Sequence, residues 1–160
     1  MDNLIKVKKK CCSIVEYVLW CILMECVCES GCVPVRGSEK AAGWDLVANE
    51  GVIIPAYGFV SVDVGLRLAI PDGYFGRIES RSGLAFRYNV TAFPGIIDSD
   101  YRGVLKVGLR NHSAIPFEVK KLMCVAQLVL YKVQELDWVP VDSLGSTKRG
   151  EGGFGSSGGI

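Results

Sequence analysis

Five short stretches of this chain hold the residue types and spacings that can do chemistry. Residues 80–85, SRSGLA, set the Arg81 guanidinium beside the Ser82 hydroxyl and the unhindered backbone of Gly83. A fork of N–H donors with a hydroxyl and open amides is a set that receives phosphate. Alone, the same stretch also fits a surface loop that caps a helix. Residues 94–103, PGIIDSDYRG, put Asp98 and Asp100 either side of Ser99, followed by Tyr101 and Arg102. In an extended chain the two aspartates share a face and Ser99 points the other way. A carboxylate so placed can take a proton from water, although an acidic turn is also an ordinary solvated feature. AAGWDL, residues 41–46, offers the single carboxylate of Asp45 beside a glycine turn. VAQL, residues 125–128, sets Gln127 among apolar neighbours, where its amide demands a hydrogen-bond partner.

The fifth stretch is RGEGGFGSSG, residues 149–158. So much glycine carries a large ordering entropy and offers nothing to pack, as in a frayed terminus. Yet it holds Arg149, Phe154 and the hydroxyls of Ser156 and Ser157. It is no P-loop, because no GxxxxGK[ST] precedes a helix. A flexible segment of this kind can instead close over a bound ligand, its amides and arginine approaching phosphate.

The elements that must position these residues are short. From Val33 onward, alternating or fully apolar runs are separated by Gly, Pro, Asn and Asp. GVIIPAYGFVSVDVGLRLAIPDG reads as three strands, turned at Pro55–Gly58 and again at Pro71-Asp72-Gly73. YFGRIES, YNVTAF, GVLKVGLRN, FEVKK and VAQLVLYKV continue the rhythm, and a short helix is predicted near SRSGLAFRY. Many short strands at even spacing predict an all-β barrel or jelly roll with one short helix. At 160 residues this is one domain. A formal net charge of +1 indicates no duplex-binding surface and no stable nucleic-acid partner.

The head of the chain breaks from this pattern. Six of the seven cysteines lie in the first 32 residues, without CxxC spacing, and the single histidine, His112, is remote. That argues against a zinc site and against a disulfide framework, and for a reducing, intracellular compartment, cytoplasm or nucleus. The apolar run CCSIVEYVLWCILMECVC, residues 11–28, keeps only eight residues between Glu16 and Glu25. A membrane span needs ~20 apolar residues, so none is expected, and no small-residue site marks a cleaved signal. His112 reads as a turn residue, and Trp20 and Trp138 as packing or surface aromatics.

AAGWDL, GRIESRSGLA, GIIDSDYRG, VAQL and RGEGGFGSSG, in this order and at these separations, resemble the five motifs of the trimeric deoxyuridine triphosphatases (dUTPases). The likeness covers about residues 33–160, and LIKVKK, residues 4–9, resembles the family's first strand. It implies a homotrimer of jelly-roll (distorted β-barrel) subunits, with exchanged C-terminal arms and active sites between subunits. It implies hydrolysis of dUTP to dUMP and pyrophosphate with Mg2+, which limits uracil in DNA and supplies dUMP for dTMP synthesis. By that likeness Asp98 orients and deprotonates the attacking water and holds the sugar 3′-hydroxyl, while Tyr101 excludes a 2′-hydroxyl. A hairpin from Val90 to Ile97, with Gly95, Ile96 and Ile97, presents backbone to uracil, and Lys106 contributes a backbone contact. Arg81, Ser82, Gly83 and Gln127 hold phosphates, and Asp45 meets the metal through water. Phe154 stacks on uracil, with Gly155 beside it, while Arg149, Ser156 and Ser157 reach the γ-phosphate. The implied layout is a Cys-rich segment 1–32 (first strand plus insertion), a jelly-roll domain 33–148 and a flexible arm 149–160.

The sequence also departs from the family pattern. Glu79-Ser80 stand where Ala-Pro is usual, Leu122-Met123-Cys124 where motif four opens Gly-Asp-Arg, Trp44 for Tyr, and Phe93-Pro94 before Gly95. The Cys-rich block interrupts a join that is otherwise a few residues long. An intron read as coding is one account of it, which a transcript containing the block would defeat. The motif-four changes leave room for a second reading, a catalytically weakened interaction or signalling protein on this fold. A deoxycytidine triphosphate deaminase of the same superfamily is a third, which SRSGLA and DSDYRG do not favour. The lid role of the tail yields a direct expectation. A chain stopped at Lys148 keeps its oligomeric state in sedimentation but loses most dUTP turnover; unchanged turnover defeats that role.

Overall fold

The computed structural model describes residues 24–29, 31 and 33–153. Its elements are β1 (Glu25–Cys28), β2 (Trp44–Val47), β3 (Val52–Ile54), β4 (Phe59–Asp63), β5 (Leu66–Ala69) and β6 (Tyr74–Glu79). After α1 (Ser82–Tyr88) come β7 (Val90–Ala92), β8 (Gly95–Ile97), β9 (Lys106–Asn111), β10 (Phe117–Val119) and β11 (Cys124–Lys132). The punctuation falls where the turn residues predict. The Gly58 amide donates to the Pro55 carbonyl at 2.9 Å between β3 and β4. Gly73, at φ +78°, lets the Tyr74 amide return to the Pro71 carbonyl at 3.1 Å between β5 and β6.

Every pairing is antiparallel. One sheet runs β2-β11-β6-β8, a second β4-β9-β7, and two-stranded pairs β1-β5 and β10-β3 flank them. This is the all-β, jelly-roll-type architecture with one short helix. Alternation supplies the core: Leu66 and Leu68 of β5, and Val107 and Leu109 of β9, point inward together with Leu46, Ile54, Ile78 and Leu128. The alternation fails once, at β11, where Val125 and Ala126 are both buried. A register shift between Cys124 and Ala126 against β2 accounts for it, a bulge that places Gln127 directly opposite Asp45.

The Val90–Ile97 segment, expected as a hairpin, is split between two sheets. Its first strand pairs with β9 and its second with β6. The Phe93 amide still reaches the Gly108 carbonyl at 2.8 Å. Pro94 has no N–H to continue that ladder, so the chain leaves β9 and crosses over. Within the head, Glu25–Cys28 of the Cys-rich block forms β1 against β5, Glu25 facing Ala69 and Cys28 facing Leu66. LIKVKK, the apolar run up to Leu23 including Trp20, Cys32, and Phe154 with Gly155, Ser156 and Ser157 lie outside the described residues. Among the described residues no helix is long and apolar enough to cross a membrane, and no cluster of three or more metal-ligating side chains exists.

His112 follows β9, its Nε2 2.8 Å from the Thr91 hydroxyl. The residue before it matters more. Asn111 is fully buried, its amide donating to the carbonyls of Pro55 at 3.1 Å and Ile115 at 2.7 Å. Its Oδ1 accepts from the Ser113 amide and hydroxyl at 2.9 and 2.8 Å. One side chain thus ties the β9–β10 turn to the end of β3. Asn111→Leu strands these buried partners, and we expect a loss of about 2–3 kcal/mol, read as a lower urea midpoint.

Candidate active site

Arg81 stands just before α1 in an extended conformation, φ −87° and ψ 125°, and its side chain makes no cap bond to the helix. The in-helix bonds begin with the Leu84 and Ala85 amides, both donating to the Arg81 carbonyl. The amides of Ser82 and Gly83 therefore precede the ladder, as the first amides of any helix do. The Arg81 fork turns toward β2, with Nε 3.0 Å from Asp45 Oδ1 and Nη2 3.4 Å from Oδ2. Its Nη1 donates to the Cys124 carbonyl at 3.2 Å. Both Asp45 and Arg81 are partly buried, so this two-point contact fixes the plane of the guanidinium.

Gln127 completes this cluster. Its Nε2 donates to the Ser80 carbonyl at 3.0 Å, which meets the demand for a partner. Gly43 lies against it, and a Cβ at that position would stand 2.5 Å from Gln127 Oε1. Asp45, Arg81, Ser82, Gly83 and Gln127 together line a cavity of about 490 Å³. A cation, a hydroxyl, a carboxamide and the first residues of a helix lining one space can receive a chain of phosphates.

The second group of expected residues lies elsewhere. Asp98 is exposed and follows β8. The stretch from it to Tyr101 is a turn closed by the Tyr101 amide donating to the Asp98 carbonyl at 3.2 Å, not the extended run in which Asp98 and Asp100 would share a face. The Tyr101 hydroxyl donates to the Val104 carbonyl at 3.1 Å, its ring folded over Gly103. Ile96, Ile97, Asp98, Tyr101 and Lys106 line a second cavity of about 400 Å³. No residue lines both cavities. Gly95 adjoins the second, in β8. Arg149 lines neither; its Nε donates to the Gly152 carbonyl at 2.7 Å within an exposed segment. One chain therefore brings the phosphate-type residues together and keeps the carboxylate at position 98 apart from them.

The dUTPase family model matches residues 29–158. The chain belongs to the dUTPase family. It is 44% identical over 137 residues to the deoxyuridine 5′-triphosphate nucleotidohydrolase of Paramecium bursaria Chlorella virus 1, covering 86% of this chain and 97% of that one. The enzyme of that name from Candida albicans is 45% identical over 130 residues, covering 80% of this chain and 82% of its own. The Arabidopsis thaliana one is 44% identical over 130 residues, covering 81% and 78%. The fold matches the G164S mutant of the Staphylococcus bacteriophage 80alpha dUTPase with dUpNHpp at a TM-score of 0.79 and 22% identity, over 85% of this chain and 98% of that one.

The departures from the dUTPase pattern have physical consequences here. Glu79 lies beside Arg77, Oε1 to Nε 2.7 Å, a close ion pair rather than an aligned hydrogen bond, so its charge is met on its own strand. The Ser80 hydroxyl accepts from the Ala92 amide at 2.9 Å and donates to its carbonyl at 3.1 Å, stitching the turn before α1 to β7. Leu122, where the family has glycine, sits at φ +65°, a left-handed conformation that costs a residue with a Cβ about 1–2 kcal/mol. Its amide nonetheless bonds the Ala48 carbonyl at 2.8 Å, and Gln127 reaches the cavity. Sequence reasoning missed Gly43 as a site residue and the Asp45–Arg81 pair; the adjacency of Gly43 to the motif carboxylate was the only signal for the former. Gly43→Ala pushes the Gln127 amide aside. We expect phosphate affinity to fall about tenfold with little change in thermal midpoint, measured by calorimetry with inorganic triphosphate.

Proposed function

We propose that this chain hydrolyses dUTP to dUMP and pyrophosphate, limiting uracil in DNA and supplying dUMP for dTMP synthesis. The observation that carries the reading is the cavity in which Arg81, Ser82, Gly83 and Gln127 face one space beside Asp45. Hydrolysis of a triphosphate needs little covalent chemistry from the protein; it needs positioned donors where charge develops and a positioned water.

In this reading Asp98 accepts the proton of a water whose oxygen bonds to the α-phosphorus. The bond from that phosphorus to the α–β bridging oxygen breaks, and pyrophosphate leaves with the electron pair. Asp98 also holds the sugar 3′-hydroxyl, and the Tyr101 ring leaves no space for a 2′-hydroxyl. The backbone of Gly95, Ile96 and Ile97, with that of Lys106, reads the uracil edge. Phe154 and Gly155 cover the base, while Arg149, Ser156 and Ser157 meet the γ-phosphate. Mg2+ suits the donor set: Asp45 is one hard oxygen ligand, and Mg2+ is commonly held by one or two carboxylates with waters and substrate phosphates. Asp45 would hold it through water, and when bound it neutralises charge on the phosphates.

The active unit is a homotrimer with exchanged arms. Two features support this. The two cavities of one chain share no lining residue, as in a site completed by a neighbouring copy. Past β11 the chain runs exposed with its apolar side chains uncovered, Trp138 at 95% and Leu144 at 89% exposure, as an arm that packs on a neighbour does. The jelly-roll domain spans 33–148 and the arm 149–160. Thiols at Cys26 and Cys124 fit a reducing compartment, cytoplasm or nucleus.

Pyrophosphate release from dUTP, against dCTP, dTTP and UTP, tests the whole reading. We expect dUTP alone to be turned over efficiently with Mg2+. Asp98→Asn should lower kcat by at least about 10²-fold while dUTP still binds. Equal turnover of UTP, or full activity without the Asp98 carboxylate, overturns it.

A further inference from the structure

We infer that Arg87 is a second cation of the Arg81 cavity and meets the outer phosphates of the bound nucleoside triphosphate. The inference deepens the hydrolase reading and rests on its placement of the phosphates. Three charged residues line this cavity: Asp45, Arg81 and Arg87. The first two are engaged with each other, Nε to Oδ1 at 3.0 Å, and Arg81 is further tied to the Cys124 carbonyl. Their charges offset, so the net positive charge of the cavity lining comes from Arg87. A triphosphate carries more negative charge than a guanidinium already paired with a carboxylate can balance.

The helix directs this side chain to the right place. Arg87 is exposed in the last turn of α1, four residues after Gly83. Residues four apart share a helix face, and side chains lean toward the N-terminal turn. From there the Arg87 stem can swing back over Gly83 toward the start of the helix. A Cβ at Gly83 would meet nothing within 4 Å, so that path is open. The long, flexible stem of arginine spans it, and a five-donor head suits terminal phosphate oxygens. Arg87 is thus a binding residue, distinct from the groups at the α-phosphate.

The test is calorimetric titration of the full-length protein with three probes: the imido analogue dUpNHpp, inorganic tripolyphosphate and dUMP. For Arg87→Gln we expect binding of the first two to weaken about tenfold at low ionic strength, the loss shrinking as salt rises. Binding of dUMP, which lacks the outer phosphates, should be unchanged, and Arg87→Lys should recover most of the loss. In turnover of dUTP the change should fall on KM, with kcat held within about twofold. Because Arg87 is exposed, thermal midpoints of wild type and variant should coincide. Wild-type-like binding of tripolyphosphate by Arg87→Gln, or an equal loss for dUMP, overturns the assignment. If the wild type leaves dUTP intact yet binds tripolyphosphate through Arg87, the hydrolase reading falls and this one stands.

Discussion

The two-point contact between Arg81 and Asp45 is the constraint on which the candidate site depends. It joins the end of β6, the start of α1 and strand β2, and the third donor of the same guanidinium reaches the Cys124 carbonyl at the head of β11. Three segments far apart in sequence, the β6–α1 junction, β2 and β11, meet on one planar cation. A planar fork is suited to this, because each N–H has a fixed direction and the pair of carboxylate oxygens matches its spacing. Holding the cation in place before a ligand arrives lowers the reorganisation that binding demands. The same pairing removes most of its net charge, and that makes a neighbouring unpaired cation useful.

Geometry around that contact rests on two local devices. The bulge in β11 shifts register so that Gln127 faces Asp45 across the ladder. The absent side chain of Gly43 gives the Gln127 amide its place. Residues that break the family pattern are absorbed close to where they occur. Glu79 finds Arg77 on its own strand, and Ser80 exchanges two hydrogen bonds with the Ala92 backbone, which a proline there could not make. Leu122 retains the backbone bond of the turn, at the cost of a left-handed conformation that glycine adopts freely. Such strain is local and leaves β11 in register.

Within one chain the two groups of candidate residues line different cavities. The phosphate-type residues gather where β2, α1 and β11 converge, while Asp98 and Tyr101 sit beyond β8 in a separate cavity. The exposed apolar side chains past β11 point the same way, toward burial against another copy. The proposed trimer unites these features, each copy lending what its neighbour lacks.

Much of this was legible in the residues. Strand spacing and turn chemistry between Gly51 and Gly73 are local, set by Pro55, Gly58, Pro71 and Gly73 acting within a few positions of themselves. The five motifs are equally local, so their order pointed to the family and to the candidate residues Arg81, Ser82, Gly83, Asp98 and Gln127. Contacts over long sequence separation were not legible. Nothing in SRSGLA says that Arg81 turns to Asp45, 36 positions earlier, and nothing in RNHSAIP says that Asn111 enters the core to hold Pro55. The expected Val90–Ile97 hairpin failed for the same reason, because strand partners are chosen by the assembled sheets. The capture of Glu25–Cys28 by β5 was equally invisible, since the edge that accepts it exists only once β5 is folded. Short-range backbone preference is written residue by residue and determined the elements; partner choice is a property of packed surfaces, and only the tertiary structure decided it.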